Sequence, residues 1–292
     1  MNVIKDSIRS DREYLSFLQG LVNQKNSARP LPLAVTGLCD GAADAAIAAL
    51  LSDLGRVDKR TALILCPEEK ECVRLRAFLE QFGLRAAFYV GRDLTLYNIT
   101  ASHEYEHERL RVLSGMLDGS FDVVVTTPDA ALGYTIPSDK LISAMTVVDF
   151  EKTTLDVGEF CQKLVRAGYV RKELVDGAGQ FAQRGGIIDV YPSSARFYDL
   201  DKKVTVGSYP FRIELFGDEI DRMEIFDAET QRMVTPLDRV ELAPARELLL
   251  DDETRRLIHT AISTQIKKSS DERAISEMRS ELLTIDNGAE AN

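Results

Sequence analysis

Tryptophan is absent from this chain of 292 residues, and histidine and cysteine are scarce, with three and four copies. The cysteines follow no metal-ligand spacing, which favours reduced thiols in the cytoplasm over a metal-binding cluster. They are Cys39, Cys66, Cys72 and Cys161. No apolar run approaches the roughly 18 residues of a membrane span, and the N-terminus is too charged for a signal peptide. We therefore expect a cytoplasmic protein without a membrane partner.

Positive charge is also in short supply, because 36 lysines and arginines face 47 aspartates and glutamates, for a net charge of -11. Non-specific DNA binding comes mainly from basic side chains that neutralise phosphates, so a large DNA-binding face is not expected. A small arginine cluster within such an acidic chain indicates instead one directed contact, most simply with an acidic patch on a protein partner.

The first half of the chain alternates helical and strand patterns. Helices are predicted over 11–24, 42–54, 68–81 and 104–116, and strands over 31–36, 61–65, 86–90 and 121–126. Strands that alternate with helices predict an α/β domain with a parallel sheet covered on both faces.

The pattern changes after about residue 140. One helix, over 157–167, precedes strands at 169–175, 180–183, 186–191, 210–216 and 219–226, which are separated by turn signals. Consecutive strands joined by tight turns predict an antiparallel sheet and a second domain of α+β type. The paired glycines Gly185 and Gly186 predict a sharp turn or a close approach of two strands.

A phosphate-binding loop is lacking where the pattern would place one. A predicted strand, a turn and an alanine-rich helix over 31–51 are the setting of the G-x-x-x-x-G-K-[ST] loop, whose lysine neutralises nucleotide phosphates. The turn contains Thr36, Gly37, Asp40 and Gly41, and no lysine. Asp40 aligns with the lysine, and a carboxylate beside a triphosphate is repulsive by roughly 1 kcal/mol or more. We expect a degenerate nucleotide loop; an ordinary turn that never bound nucleotide equally predicts no ATPase activity.

Two further motifs have weaker support. Residues 103–107 match H-E-x-x-H, in which two histidines one helical turn apart bind zinc. The required third ligand is missing nearby, because the other histidine is His259 and no glutamate occurs between Glu108 and Glu151. The polar start of a surface helix is favoured over a zinc hydrolase. Residues 147–151 resemble a strand that delivers a magnesium-binding aspartate, but without a phosphate loop a plain strand end is favoured.

Two motifs in the second half carry a specific resemblance. Residues 180–192 read QFAQRGGIIDVYP, which is similar to the signature F-x-x-R-G-x-x-x-D/E-[IV]-[FY]-P. Residues 210–221 read PFRIELFGDEID, which is similar to its continuation, R-[IV]-E-[FL]-F-x-[DE]-E-[IV]. In this order and spacing they resemble the module shared by the excision-repair helicase UvrB and the bacterial transcription-repair coupling factors. The resemblance covers residues 1–290 and is strongest over 160–245.

Two departures make the chain more similar to the coupling factors than to UvrB. UvrB keeps an intact G-K-T loop, and the segment Leu94–Arg109 leaves no room for the tyrosine-rich hairpin with which UvrB clamps DNA. The resemblance implies a degenerate P-loop or RecA-like (helicase-like) domain at 1–140. It further implies an inserted α+β UvrA-binding domain at 141–236, and the start of a returning helicase-like segment with a C-terminal helix at 237–292.

The resemblance also implies partners and cofactors. The partners are UvrA, the remaining domains of the same coupling factor and, through the full-length protein, RNA polymerase and DNA. No cofactor is implied for this chain, whereas ATP and Mg²⁺ belong to the translocase module of full-length family members. The implied function is a non-catalytic module that recruits UvrA to stalled RNA polymerase in transcription-coupled excision repair. The alternative is a fragment of a UvrB-type, ATP-dependent repair helicase.

The family's UvrA-binding surface maps onto positions that match its motifs, namely Arg171, Phe181, Arg184, Arg212 and Glu214. Guanidinium groups pair with carboxylates at two points, and an aromatic residue among arginines is a typical interface anchor. Ala182 departs from UvrB, which often carries another arginine there. Three alternatives stay open: Phe181 in the core, Arg212 paired with Glu214, and the other two arginines as solvated charges.

Overall fold

The computed structural model describes residues 2–24, 28–29, 31–39, 41–57, 60–92, 103–150, 154–249 and 252–290. It divides into two compact units, unit 1 at residues 1–134 and unit 2 at 135–292. Within the described ranges, none of the helices is both long and apolar enough to span a bilayer.

Unit 1 is built on a three-stranded sheet with helices before, between and after the strands. The strands are β1 (Ala62–Leu65), β2 (Ala86–Tyr89) and β3 (Val123–Thr126), in the order β1-β3-β2. The helices are α1 (Asn2–Arg9), α2 (Arg12–Gln24), α3 (Ala42–Val57), α4 (Glu69–Gln81), α5 (Glu104–Leu117) and α6 (Pro128–Leu132). Both strand pairs are parallel, so the predicted parallel sheet is confirmed.

The core of unit 1 follows from the sequence pattern. All four residues of β3 (VVVT) are buried, as expected for a central strand covered on both faces. Helix α4 contributes a stripe at helical spacing, Cys72, Leu75 and Leu79, which packs in the same apolar cluster as Val123 and Val125. Gly83, with φ of +84°, follows the helix and turns the chain toward β2.

The strand predicted over 31–36 is wrong. The described residues 31–39 form neither strand nor helix, and Leu31, Leu33 and Val35 are 74%, 42% and 51% exposed. Alternating apolar residues form a stable strand only when a neighbouring strand accepts their backbone hydrogen bonds, and this segment joins no sheet of the described chain. The parallel sheet is present, whereas a RecA-like arrangement stays a prediction.

Unit 2 contains a large sheet that is almost entirely antiparallel. Its strands are β4 (Thr146–Asp149), β5 (Val170–Arg171), β6 (Gln180–Arg184), β7 (Ile187–Tyr191), β8 (Ala195–Asp199), β9 (Val204–Gly207), β10 (Phe211–Phe216), β11 (Glu219–Phe226) and β12 (Met233–Leu242). The helices are α7 (Ser138–Ala144), α8 (Val157–Arg166), α9 (Asp252–Lys268) and α10 (Glu272–Glu290). The order is β5-β6-β7-β10-β11-β12-β8-β9, and β4 also pairs with β12. The β5–β6 pair is parallel; the predicted antiparallel, mixed α/β character is confirmed.

Two boundaries differ from the sequence prediction. The strand predicted over 169–175 has only two residues, because the chain leaves the sheet after Arg171 and Val175 packs in a separate cluster with Ala182 and Phe226. The predicted domain boundary between residues 236 and 237 falls inside β12, which pairs with β11 on one side of this point and with β8 on the other. The division of the chain into three domains stays a prediction.

The core of unit 2 lies against one face of the sheet. Strand alternation turns Phe181, Val190, Phe211 and Ile213 to this face, where helix α8 adds Phe160 and Leu164; all six are buried in one cluster. At the end of β6, Gly185 has φ of +59°. A Cβ on Gly186 would meet the Leu215 carbonyl oxygen at 2.8 Å, so the predicted close approach of two strands is confirmed.

Candidate protein-binding site

A buried carboxylate lies on the sheet face opposite the core. In β7, Ile188 and Val190 point into the core, so Asp189 between them points the other way, with a side chain only 1% exposed. Arg212 of β10 stands directly across from it. The Arg212 Nε donates to Oδ1 at 2.5 Å and Nη2 donates to Oδ2 at 2.9 Å. Burying a charge is costly without such pairing, and the two-point contact makes an aspartate tolerable here.

Arg212 is held from several directions. Its Nη2 also donates to Gln231 Oε1 at 2.9 Å, and its guanidinium carbon lies 4.8 Å from the centre of the Phe226 ring. The hydrogen bond to Asp189 raises the pKa of the Arg212 guanidinium, although burial opposes the shift. The Arg212 side chain is only 13% exposed. Arg212 therefore holds Asp189 in place and leaves little of its own surface for contact with another molecule.

Arg184 is the exposed member of the group. Its Nη2 donates to Asp189 Oδ2 at 2.7 Å and its Nη1 to the Glu173 carbonyl at 3.4 Å, yet its side chain is 46% exposed. Since Arg212 already neutralises the carboxylate at two points, the three side chains carry one excess positive charge. That charge is oriented by the protein and open to a partner.

Arg171 reaches the same end of β6 from the other face of the sheet. It stands opposite Phe181 in the β5–β6 pair, and its Nη2 donates to Gln183 Oε1 at 2.7 Å. The charge of Arg171 also acts on the Cys161 thiol in α8. Burial raises the pKa of this thiol, and the positive charge of Arg171 partly offsets the increase. Arg184 belongs to β6, and the Arg171 guanidinium binds Gln183, the residue before it. The two cations therefore lie near the same end of β6 but on opposite faces of the sheet.

Glu214 lies in the same row across the sheet as Arg184, because both residues pair with Ile187 of β7. Glu214 is half-buried, and on its other side it pairs with Arg222. The charge of Glu214 also raises the pKa of Arg212, although less than the hydrogen bond to Asp189 and the charge of Asp189 do. Arg212 donates its hydrogen bonds to Asp189 and Gln231. Its ion-pair partner is therefore Asp189 and not Glu214, the alternative left open by the sequence.

The assignment of Phe181 to an exposed surface is wrong. Its side chain is 0% exposed and belongs to the main apolar cluster of unit 2. Phe181 and Arg184 are three positions apart on one strand, so they point to opposite faces. The apolar neighbours Val190 and Phe211 make the phenylalanine face the core.

Asp189 and Gln231 were missed as members of the site. Asp189 carries a signal in the sequence, because it is the one charged residue in the otherwise apolar run Ile187–Tyr191. A carboxylate in such a run is buried, and buried carboxylates are nearly always paired. Gln231 carries no such signal, because it lies in the loop between β11 and β12, outside any strand pattern. Its backbone there has a φ of +58°.

In unit 1, the predicted nucleotide loop is described only in part. Asp40 lies outside the described residues, while Thr36 lies in the segment without regular structure, and Gly37 and Gly41 have φ of +80° and +82°. Helix α3 begins just after them and carries Asp44 in its first turn, 8% exposed. Arg74 of α4 forms hydrogen bonds to both carboxylate oxygens of Asp44.

The remaining candidate sites gather little chemistry. His103 precedes α5, and its Nδ1 lies 3.5 Å from Glu106 Oε2. Within the part of the chain that the structure describes, no three potential metal ligands come together. A cavity of about 530 Å³ in unit 2 is lined by α7, β4 and α8, and none of the predicted binding residues lines it. Arg171 and Arg184 lie instead at exposed positions of unit 2.

The comparison with protein families matches the part of the chain that contains the arginine group. The family model described as "UvrB interaction domain" matches residues 149–248. A transcription-repair-coupling factor of Bacillus subtilis is 28% identical over 172 residues, which is 58% of this chain and 14% of that protein. One from Staphylococcus haemolyticus is 26% identical over 269 residues, 90% of this chain and 20% of the relative. One from Myxococcus xanthus is 40% identical over 107 residues, 37% and 8% respectively. The chain thus spans about a fifth or less of these relatives.

Proposed function

We propose that unit 2 is a docking module for UvrA in transcription-coupled repair, because residues 149–248 match the UvrB interaction domain and the chain is similar to transcription-repair-coupling factors. The observation that carries the proposal is the half-exposed Arg184, whose guanidinium is oriented by a carboxylate that Arg212 already neutralises. This group places a directed positive charge on an otherwise acidic chain.

The arrangement fits recognition of a carboxylate on a partner protein. An arginine that is already held in place loses less side-chain freedom on binding than a solvated one, so more of its hydrogen-bond energy contributes to affinity. Two-point guanidinium–carboxylate contacts also fix orientation. Arg171, which lies at the same end of β6, supplies a second cation for an acidic patch.

We further propose that this chain acts without nucleotide. The positive N-terminal end of α3 would be the natural place for a phosphate, but Asp44 supplies a carboxylate in that turn, which Arg74 already binds. Mg²⁺-dependent hydrolysis of ATP, and contacts with DNA and RNA polymerase, would then belong to other parts of a longer coupling factor acting in the cytoplasm.

The test is the affinity of purified UvrA for the chain and for two variants with equal charge change. Arg184→Ala is expected to weaken binding roughly 10- to 30-fold, a loss typical of an interface anchor. Arg273→Ala removes an exposed arginine of α10 that pairs with Glu277, and it should bind like the unaltered chain. The Arg184→Ala effect should also shrink as salt is raised.

Two results would reject the proposal. One is a failure of the unaltered chain to bind UvrA at high micromolar concentration. The other is equal affinity of the Arg184→Ala and Arg273→Ala variants, which would leave the mapped surface without a role.

A further inference from the structure

An exposed aromatic residue lies at the arginine site, and it is not the one expected from the sequence. Phe216, the last residue of β10, has 83% of its surface exposed. We propose that Phe216 is the aromatic anchor of the docking surface and inserts into an apolar pocket on UvrA that carries carboxylates on the side facing Arg184. This inference rests on the proposed function and adds to it a specific contact.

The register of the sheet places Phe216 beside the arginine group. Arg184, Ile187 and Glu214 form one row across β6, β7 and β10. Phe216 comes two residues after Glu214, toward the end of the sheet where β6 turns into β7. The two turns touch there, since the Leu215 N–H donates to the Gly186 carbonyl at 2.8 Å. The exposed phenyl group and the exposed guanidinium therefore share one end of the sheet.

The hairpin tip that carries Phe216 is held in place by hydrogen bonds between backbone groups. Phe216 pairs with Glu219 across the β10–β11 turn. Thr154 forms a bridge to Glu219, and the Leu155 N–H donates to the Asp218 carbonyl at 2.7 Å. An aromatic residue on a backbone fixed from both sides loses little conformational freedom on binding. The contact with Gly186 and the bridge to Thr154 thus present the phenyl group in a defined place.

The chemistry of the surface specifies the occupant. Aromatic and arginine side chains are the residues that most often carry binding energy at protein interfaces. Leu174, next to the Glu173 carbonyl that binds Arg184, is also 48% exposed. Phe216 thus lies between the exposed Arg184 on one side and the exposed Asp218 and Glu219 of its own hairpin on the other. This surface fits an apolar pocket whose rim carries carboxylates on the side that meets Arg184. The same phenyl group would also serve contact with a second copy of this chain, which the experiment distinguishes.

The first test compares Phe216→Ala with Leu200→Ala. Leu200 is 62% exposed and follows β8 in the β8–β9 connection, so it is a matched apolar control at another hairpin. We expect Phe216→Ala to weaken UvrA binding roughly 30-fold and Leu200→Ala to leave it unchanged. Unlike that of Arg184→Ala, the Phe216→Ala effect should be the same at low and high salt, because the lost contact is apolar. Thermal unfolding should be unaltered in both variants, since both side chains are exposed.

The second test uses the absence of tryptophan from the chain. Phe216→Trp, incorporated as 5-fluorotryptophan, gives a single ¹⁹F resonance. Its chemical shift should change on addition of UvrA, whereas the resonance of a Leu200→Trp variant should keep its shift. An unchanged shift at position 216 in the saturated complex would overturn the inference.

The outcomes separate this inference from the function it rests on. If the unaltered chain binds UvrA, Arg184→Ala weakens binding and Phe216→Ala does not, the anchor is rejected and the docking function stands. If the unaltered chain does not bind UvrA, both are rejected. If sedimentation shows a dimer that Phe216→Ala dissociates while UvrA binding is retained, the phenyl group serves a second copy and the inference is overturned.

Discussion

Arg212 and Asp189 stand opposite each other on neighbouring antiparallel strands and form two hydrogen bonds, at 2.5 and 2.9 Å, on the sheet face that points away from the core. The same carboxylate accepts a third hydrogen bond from Arg184. The two arginines therefore have different tasks. Arg212, largely buried, neutralises the carboxylate, and Arg184 keeps a fixed direction while part of its guanidinium stays in water.

This relationship predicts that Asp189→Asn destabilises the protein. The amide keeps the shape of the side chain but removes the negative charge, so the buried Arg212 loses its counter-charge. Breaking a buried ion pair from one side costs about 3 kcal/mol or more, and urea unfolding should show a loss of this size. Under the proposed function, UvrA affinity should fall as well, because Arg184 loses the group that orients it.

The control for this prediction is Asp201→Asn. The Asp201 carboxylate is 75% exposed and pairs with the equally exposed Lys203, so its replacement should change the free energy of unfolding by less than about 1 kcal/mol. Equal losses in the Asp189 and Asp201 variants would mean that the buried pair makes no special contribution.

Two glycine substitutions should change stability in opposite directions. Gly186→Ala places a Cβ 2.8 Å from the Leu215 carbonyl oxygen, so the two turns must separate, and a loss of about 1–3 kcal/mol is expected. Gly55→Ala lies in helix α3 with open space around the new methyl group, and it should add about 0.5–1 kcal/mol through helix propensity. Thermal unfolding of both variants measures the contrast; a Gly186→Ala variant as stable as the unaltered chain would contradict the close contact.

The elements that could be predicted from the sequence are those whose period is set locally. The central strand over 121–126 has a continuous apolar run, and the hairpin over 210–226 has two strand patterns joined by a turn signal. Both elements are present in the structure. The domain boundary that the resemblance implies, between residues 236 and 237, falls inside β12, a strand that the sequence pattern does not predict. Proline in the middle of a strand is unusual. The structure places Pro236 where the strand passes from β11 toward β8.

The two arginines of the site were predictable from the sequence, but their shared partner Asp189 and the faces of the sheet to which the side chains point were not. Arg184 and Arg212 follow from the motif, and their convergence on Asp189 follows from strand register, which depends on residues far apart in the chain. Which of two phenylalanines is exposed depends on what covers each face. Phe181 meets the core, whereas Phe216 sits at a hairpin tip, and neither environment is encoded in the local pattern.

Acid should weaken unit 1 through Asp53. Burial alone would raise the pKa of this carboxyl, but hydrogen bonds from Arg9, at 3.1 Å to one oxygen, and from Tyr14, at 2.7 Å, outweigh burial and lower the pKa below 3.8. A carboxyl whose pKa is lower in the folded state contributes stability above its ordinary value. The contribution is lost as the pH falls through the lowered value.

The measurement for Asp53 is thermal unfolding as a function of pH. The unaltered chain should lose stability as the pH falls below about 4 to 5, where the unfolded-state carboxyl begins to bind protons, and Asp53→Asn should show a shallower decline over this range. Glu13→Gln, at an exposed position in α2, provides the control and should follow the unaltered chain. Parallel curves for the unaltered chain and Asp53→Asn would remove Asp53 from the acid response.

ATP with Mg²⁺ should leave the thermal unfolding of this chain unchanged. The first turn of α3 holds the Asp44 carboxylate, which Arg74 binds, and no lysine occurs in the turn from Thr36 to Gly41. A ligand at 100 times its Kd stabilises the state it binds by about 2.7 kcal/mol, which a melting curve detects as a shift of several degrees for a domain of this size. Asp44→Asn removes one negative charge from the helix terminus, and it should still show no shift, because the lysine is missing as well. A rise in the melting temperature with ATP that Gly41→Val abolishes would show that the turn binds nucleotide after all.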